Sequence, residues 1–271
     1  MKSTHYSPDA NRMSVLTATV LLAFALAHLL SASVYTFGVQ IFGRVIRFDF
    51  DLRVVIVILA SGLTAMGMDW LLKSHPMAAG KRTIEHWFAP MLTTLVLGVP
   101  LHLLPLGTFW WWIGLGVGGG LLVLVFWAEY VVVSPGDTAY PTAMVVLTVI
   151  SFTLYLILAL ALRYANVRLF LLAPAFFGAT FLVALRTLHL RLAGQWKVGW
   201  SLGIALIGVQ LAAGLHYLPI SPVRYGILLL APLYALTNLA ASLAEGMPLR
   251  LAMVEPAVML VVVWGLGWWL G

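Results

Sequence analysis

Apolar stretches of about 20 residues follow one another almost to the last residue of this chain. That is the length an α-helix needs to cross a hydrocarbon core about 30 Å thick. Of the 271 residues, 62% are hydrophobic and 9% are charged. A soluble domain carries about 25% charged residues, so this chain cannot cover a water-facing surface. The composition predicts an all-α, polytopic helical membrane protein built as a single integral membrane domain. About nine spans are expected, near residues 13–36, 53–73, 87–106, 109–133, 140–163, 168–188, 198–219, 223–244 and 251–270. The first apolar run leads into further spans, which argues against a cleaved signal peptide. Residues 38–51 mix basic and aromatic side chains and suit a short segment at the membrane interface.

A long internal period organises the spans. Leu101-His102-Leu103-Leu104-Pro105 returns 114 positions later as Leu215-His216-Tyr217-Leu218-Pro219. Each phrase closes a run that starts after an Ala-Gly pair, Ala79-Gly80 or Ala193-Gly194, and His75 falls opposite His189. Residues 75–105 and 189–219 share nine identities without a gap. Ala128-Glu129 likewise answers Ala244-Glu245, and Pro141 with Met144 answers Pro256 with Met259. Such a fixed spacing is the mark of duplication. It predicts four spans (13–133), four related spans (140–244) and a ninth (251–270) resembling the first of each set. Four is even, so both copies are expected to share one orientation, related by an axis along the membrane normal.

Charge bears on orientation and on partners. With the amino terminus in the cytoplasm, Lys2, Arg12, Lys73, Lys81, Arg82, Arg186, Arg191, Lys197 and Arg250 lie inside, against Arg44, Arg47, Arg53, Arg163, Arg168 and Arg224 outside. Nine against six favours an inner amino terminus and an outer carboxyl terminus, in a bacterial cytoplasmic membrane. The net charge of +6 belongs to helix ends, and no basic run with interleaved aromatics points to nucleic acid. The chain has no cysteine, which excludes disulfides, thiolate catalysis and Cys-ligated metal. The expected partners are the bilayer, a hydrophobic small molecule and other membrane proteins.

Ionisable groups inside a bilayer are costly, so each is a functional candidate. Asp69, Lys73, His75, Glu85, His86 and Glu129 fall in one predicted cytoplasmic layer and form the candidate ligand-binding set. Arg186, His189 and Glu245 fall in the same layer of the second half, with Glu255 expected deeper. Asp69 and Lys73 are spaced i,i+4 and share a helix face. A carboxylate beside an imidazole there could act as a general base or hold a divalent cation, or the acids could simply serve helix ends. His102 and His216, each before a proline at the opposite side, are candidate cofactor ligands for a haem or a chlorin magnesium. The alternative is that they satisfy backbone carbonyls where proline breaks the helix. His28 is the one central histidine of the first span. Trp110, Trp111, Trp112, Trp264, Trp268 and Trp269 read as an aromatic belt, and Gly116, Gly118, Gly119 and Gly120 as a close helix approach. No metal site and no strong catalytic motif is present in the sequence.

These features favour a pseudo-symmetric membrane protein that binds or moves a hydrophobic or amphiphilic small molecule, such as a lipid, isoprenoid or pigment. An intramembrane enzyme acting on a lipid or isoprenoid is the first alternative, and a structural subunit of a larger membrane complex the second. Nine helices with polar residues after spans two and six resemble the arrangement of UbiA-type membrane prenyltransferases. That resemblance implies acid-rich connections holding magnesium and diphosphate. Here the connections read Met66-Gly-Met-Asp-Trp-Leu-Leu-Lys73, with one acid, and Arg186-Thr-Leu-His-Leu-Arg191, with none.

Overall fold

The computed structural model describes residues 7–29, 34–41, 44–78, 83–192 and 194–269. Among them nine helical segments are long and apolar enough to cross a membrane, which makes the chain an integral membrane protein. Ala79-Gly80 and Ala193 of the repeat, with Lys2, Lys81 and Arg82 of the charge count, lie outside the described residues.

The elements are α1 (Ala10–Leu29), strands β1 (Val34–Ile41) and β2 (Arg44–Asp51), α2 (Leu52–Leu72), a 3-10 turn (Ile84–His86), α3 (Phe88–Leu103) and α4 (Phe109–Val132). There follow α5 (Tyr140–Tyr164), α6 (Leu169–Arg191), α7 (Val198–His216), α8 (Pro222–Ala244), a single turn α9 (Leu249–Ala252) and α10 (Val254–Trp269). The chain divides into two compact units, Met1–Asp137 and Thr138–Gly271.

In the first unit α2 packs between α1 and α3, and α4 returns against both α3 and α1. Met68, Leu71 and Leu72 of α2 and Leu122, Val125 and Phe126 of α4 are fully buried there. Lipid is as apolar as leucine, so close fit and internal hydrogen bonds hold such helices together. Thr64 and Thr94 share a hydroxyl hydrogen bond of 2.9 Å between α2 and α3. A Cβ at Gly98 would stand 2.5 Å from Val57 Cγ1, so glycine sets the α2–α3 approach. Of the expected close-approach glycines, Gly118 faces Leu97 and Gly119 faces Leu21, whereas Gly116 and Gly120 face open space.

The second unit closes a ring in the same order: α5 on α6, α6 on α7, α7 on α8 and α8 back on α5. An edge-to-face chain from Tyr155 to Phe176 to Tyr225 fills it, with centroids 5.8 and 5.9 Å apart. The Tyr225 hydroxyl donates to the Ala212 carbonyl at 3.0 Å. The ninth span, α10, leans on α8, where Trp264 Nε1 donates to the Leu228 carbonyl and Arg224 to that of Trp268.

The twin Leu-His-x-Leu-Pro phrases form corresponding corners. The first ends α3 and is followed by Thr108, whose side chain accepts from the Trp111 N–H to cap α4. The second ends α7, and Ser221 caps α8 through the Arg224 N–H. The expectation for residues 38–51 needs correction in form. Residues 38–41 and 44–51 belong to two antiparallel strands, with Val34 opposite Asp51 and Ile41 opposite Arg44. The first span consequently ends at Leu29 instead of near 36. Val34-Tyr-Thr-Phe37 is β-branched and aromatic, which favours strand although its hydropathy continues that of the helix.

The aromatic belt also needs correction. Trp110, Trp112, Trp268 and Trp269 are exposed, but Trp111 is buried against His28 with centroids 6.0 Å apart, and Trp264 is tied to α8.

Candidate functional site

At one end of the first unit α2 finishes, α3 begins and α4 finishes, which gathers the six residues expected to bind a ligand. Asp69 and Lys73 pair at 3.2 Å, with Lys73 71% and Asp69 29% exposed. Asp69 also accepts from the Thr83 hydroxyl, which ties the end of α2 to the turn before α3. His86 lies 2.7 Å from Glu129 through Nδ1 and 3.4 Å from Glu85 through Nε2. Glu129 is 0% exposed and His86 is buried, so this is an interior pair. His75 is buried edge-on to Tyr130 at 4.6 Å, and its Nδ1 accepts the Met77 N–H. An accepting Nδ1 leaves the proton of the neutral ring on Nε2. Five of the six meet in two groups, a part-exposed Asp69–Lys73 ion pair and an interior His86 between Glu85 and Glu129, while His75 packs on Tyr130. Among the described residues no three His, Asp or Glu side chains converge to hold a metal ion.

The paired histidines of the twin phrases sit differently. His102 and His28 both border a cavity of about 20 Å³ between α1, α2 and α3. That space admits one water and is far too small for a macrocycle. His216 packs edge-on to Tyr217, and its Nδ1 is buried without a hydrogen-bond partner. The carbonyls freed at this break are met by a cation from another helix. Arg163 donates to the carbonyls of His216 at 2.9 Å and Leu218 at 2.8 Å, and lies over the Tyr225 ring. A guanidinium there also favours the negative end of α7.

The second unit contains a feature that sequence reasoning missed. Two cavities, about 300 and 350 Å³, lie along the unit and share walls at Thr148, Val149, Phe152 and Tyr234. Both are partly open and not enclosed. Their sizes fall at the lower end of small-molecule sites. On α5 they run from Met144 to Leu156, about 18 Å at helical rise, and on α8 from Leu230 to Ala241. That is roughly half the hydrocarbon thickness, or one leaflet.

The two ends of this groove differ in chemistry. The inner walls are Phe152, Leu156, Leu230, Met259 and Val263. The other end carries Thr187, Arg191, Tyr234 and Asn238. Arg191 closes α6 and reaches α8, donating to both Glu245 oxygens at 2.9 and 3.2 Å, to Ser242 at 3.3 Å and to Asn238 Oδ1. Tyr234 donates to Glu255 at 3.1 Å. Asn238 is 8% exposed, yet its Nδ2 has no hydrogen-bond partner, and Thr187 Oγ1 is likewise buried and unpartnered. Such orphaned groups cost about 1–3 kcal/mol each unless something binds them. Glu245 and Glu255 were among the sequence candidates, and Arg191 counted only as a helix-end cation. Asn238, an amide within an apolar span, was the available signal.

Arg186 and His189 are buried near the end of α6, with His189 stacked on Trp196 at 4.1 Å. Gly194, at φ +87°, lets its N–H return to the His189 carbonyl and end the helix.

A model of the family described as protein of unknown function, DUF5656, matches residues 31–270. No curated protein and no solved structure matches the chain.

Proposed function

We propose that this chain, which belongs to the DUF5656 family, binds or moves an amphiphilic small molecule in the groove of its second unit. The observation that carries the reading is the groove's polarity: apolar walls along one leaflet's depth, ending at a buried amide donor without a partner. An amphiphile matches both ends, since its chain replaces lipid along Phe152 and Leu230 while its head reaches Asn238 and Arg191. A side opening lets it enter from the bilayer. Native mass spectrometry of the purified protein tests this. A bound amphiphile is expected in the native chain and absent in Val149→Trp, which fills the shared wall from an exposed position. Equal retention by both would refute the reading.

The two units are read as diverged copies of one four-helix element in the same orientation, with α10 as an added span of a single membrane domain. Three features support this: the same ring order, the same proline corners, and a buried histidine at the end of the second helix of each unit, His75 just past α2 and His189 in the last turn of α6. Their polar ends have diverged. Glu129 meets His86, whereas its counterpart Glu245 meets Arg191.

A second reading, an intramembrane enzyme acting on a lipid or isoprenoid, has the His86–Glu129 pair in its favour. A carboxylate at 2.7 Å orients an imidazole, as in general acid–base sites. Lipid turnover lost in His86→Gln, with groove binding kept, would support it. Turnover unchanged in that variant would remove it.

A further inference from the structure

We infer that the groove selects amphiphiles whose head is uncharged and rich in hydrogen-bond acceptors, such as an ester or ketone carbonyl, and disfavours a phosphate head. This rests on the amphiphile reading above and adds the chemistry of the head group.

Asn238 meets Arg191 through its side-chain amide. Arg191 can only donate, so the amide atom it meets must be Oδ1, and Nδ2 is left as a donor. That donor is buried and unpartnered on a residue lining the cavity. Thr187 Oγ1 adds a second unpartnered polar group, a hydroxyl, on the same wall. Of the five guanidinium hydrogens of Arg191, four are engaged by Glu245, Ser242 and Asn238, which leaves one on Nη1. The head therefore meets donors, and acceptor atoms satisfy them.

Charge then separates one acceptor from another. Among the described residues lining this cavity, Arg191 is the one cation, and Glu245 holds it through both oxygens. Glu255 adds a second carboxylate through Tyr234. One cation against two carboxylates leaves the polar end with a net formal charge of −1. A phosphate could accept the same hydrogens, but its negative charge would stand beside Glu245 and Glu255, with the one cation already paired. A carbonyl takes the Asn238 and Arg191 hydrogens without disturbing either pair.

The test titrates the full chain in detergent with dioleoylglycerol and with dioleoylphosphatidate, which share acyl chains and differ in the head, and reads occupancy by native mass spectrometry. Dioleoylglycerol is expected to bind at least about tenfold more tightly. Asn238→Asp keeps an oxygen for Arg191 but turns the free donor into an acceptor, and should weaken dioleoylglycerol about tenfold. Glu245→Gln releases the Arg191 charge and should narrow or reverse the preference. Equal or tighter phosphatidate binding by the native chain, with dioleoylglycerol indifferent to Asn238→Asp, would overturn the inference and leave amphiphile binding intact. Binding of neither lipid above the Val149→Trp level would remove the amphiphile reading itself.

Discussion

Replacing Glu129 by leucine should be among the most damaging single changes in the first unit. Glu129 is 0% exposed and meets buried His86 at 2.7 Å, while the other carboxylate on His86, Glu85, stands 3.4 Å away and 34% exposed. Removing one member of a buried hydrogen-bonded pair leaves the other desolvated without its partner, which costs about 3–5 kcal/mol when the pair is ionic. Glu129→Gln keeps an acceptor at the same reach and should cost about 1–2 kcal/mol. Replacing both residues, as Glu129→Leu with His86→Leu, should recover most of the loss, since two apolar groups leave no ion unmatched. At roughly 2–4 °C per kcal/mol for a chain of this size, Glu129→Leu should melt about 6–20 °C below the native protein. The assay is thermal unfolding in detergent followed by tryptophan fluorescence across the four variants. Equal melting of the leucine and glutamine variants, or losses in the double variant that simply add, would refute the paired arrangement.

Three further outcomes follow from other parts of the molecule. Gly98→Val should destabilise the first unit by about 1–3 kcal/mol, because the added atoms meet a stiff, β-branched Val57, and thermal unfolding reads the effect. Arg163→Ala removes two carbonyl hydrogen bonds and a ring contact, so amide exchange at residues 216–221 should speed up by at least about tenfold. The native chain has no cysteine, so single cysteines report sidedness directly. Lys73→Cys and Lys197→Cys should react with an impermeant maleimide only from the cytoplasmic side, and Tyr217→Cys only from outside. Labelling of residues 73 and 197 from opposite faces would remove the proposed duplication in one orientation.

The spans were legible because run length alone decides them in a bilayer, and the proline corners because proline cannot continue a helix. Residues 34–36 fall in a strand and not in the expected first span because apolar strand and apolar helix share one hydropathy. Val34-Tyr-Thr-Phe37 carries the strand preference in residue type, not in polarity. Asp69–Lys73 was readable from i,i+4 spacing, whereas His86 and Glu129 are 43 positions apart and only their common layer hinted at contact. The groove could not be read at all. Thr148, Asn238 and Met259 lie on three helices, and which faces of α5, α8 and α10 turn toward one another is settled by packing. Asn238 alone left a trace, as a polar amide that an apolar span would exclude without a use for it.

The central claim is that a single lateral groove in the second unit takes the amphiphile. Photo-crosslinking with an acylglycerol carrying a diazirine halfway along its chain tests it most directly, with the labelled residues mapped by peptide mass spectrometry. Label is expected to concentrate on Phe152, Leu156, Leu230, Met259 and Val263 and to fall away in Val149→Trp. Label spread over lipid-facing side chains such as Leu59, Met66 and Val261, in proportion to exposure and indifferent to Val149→Trp, would contradict it.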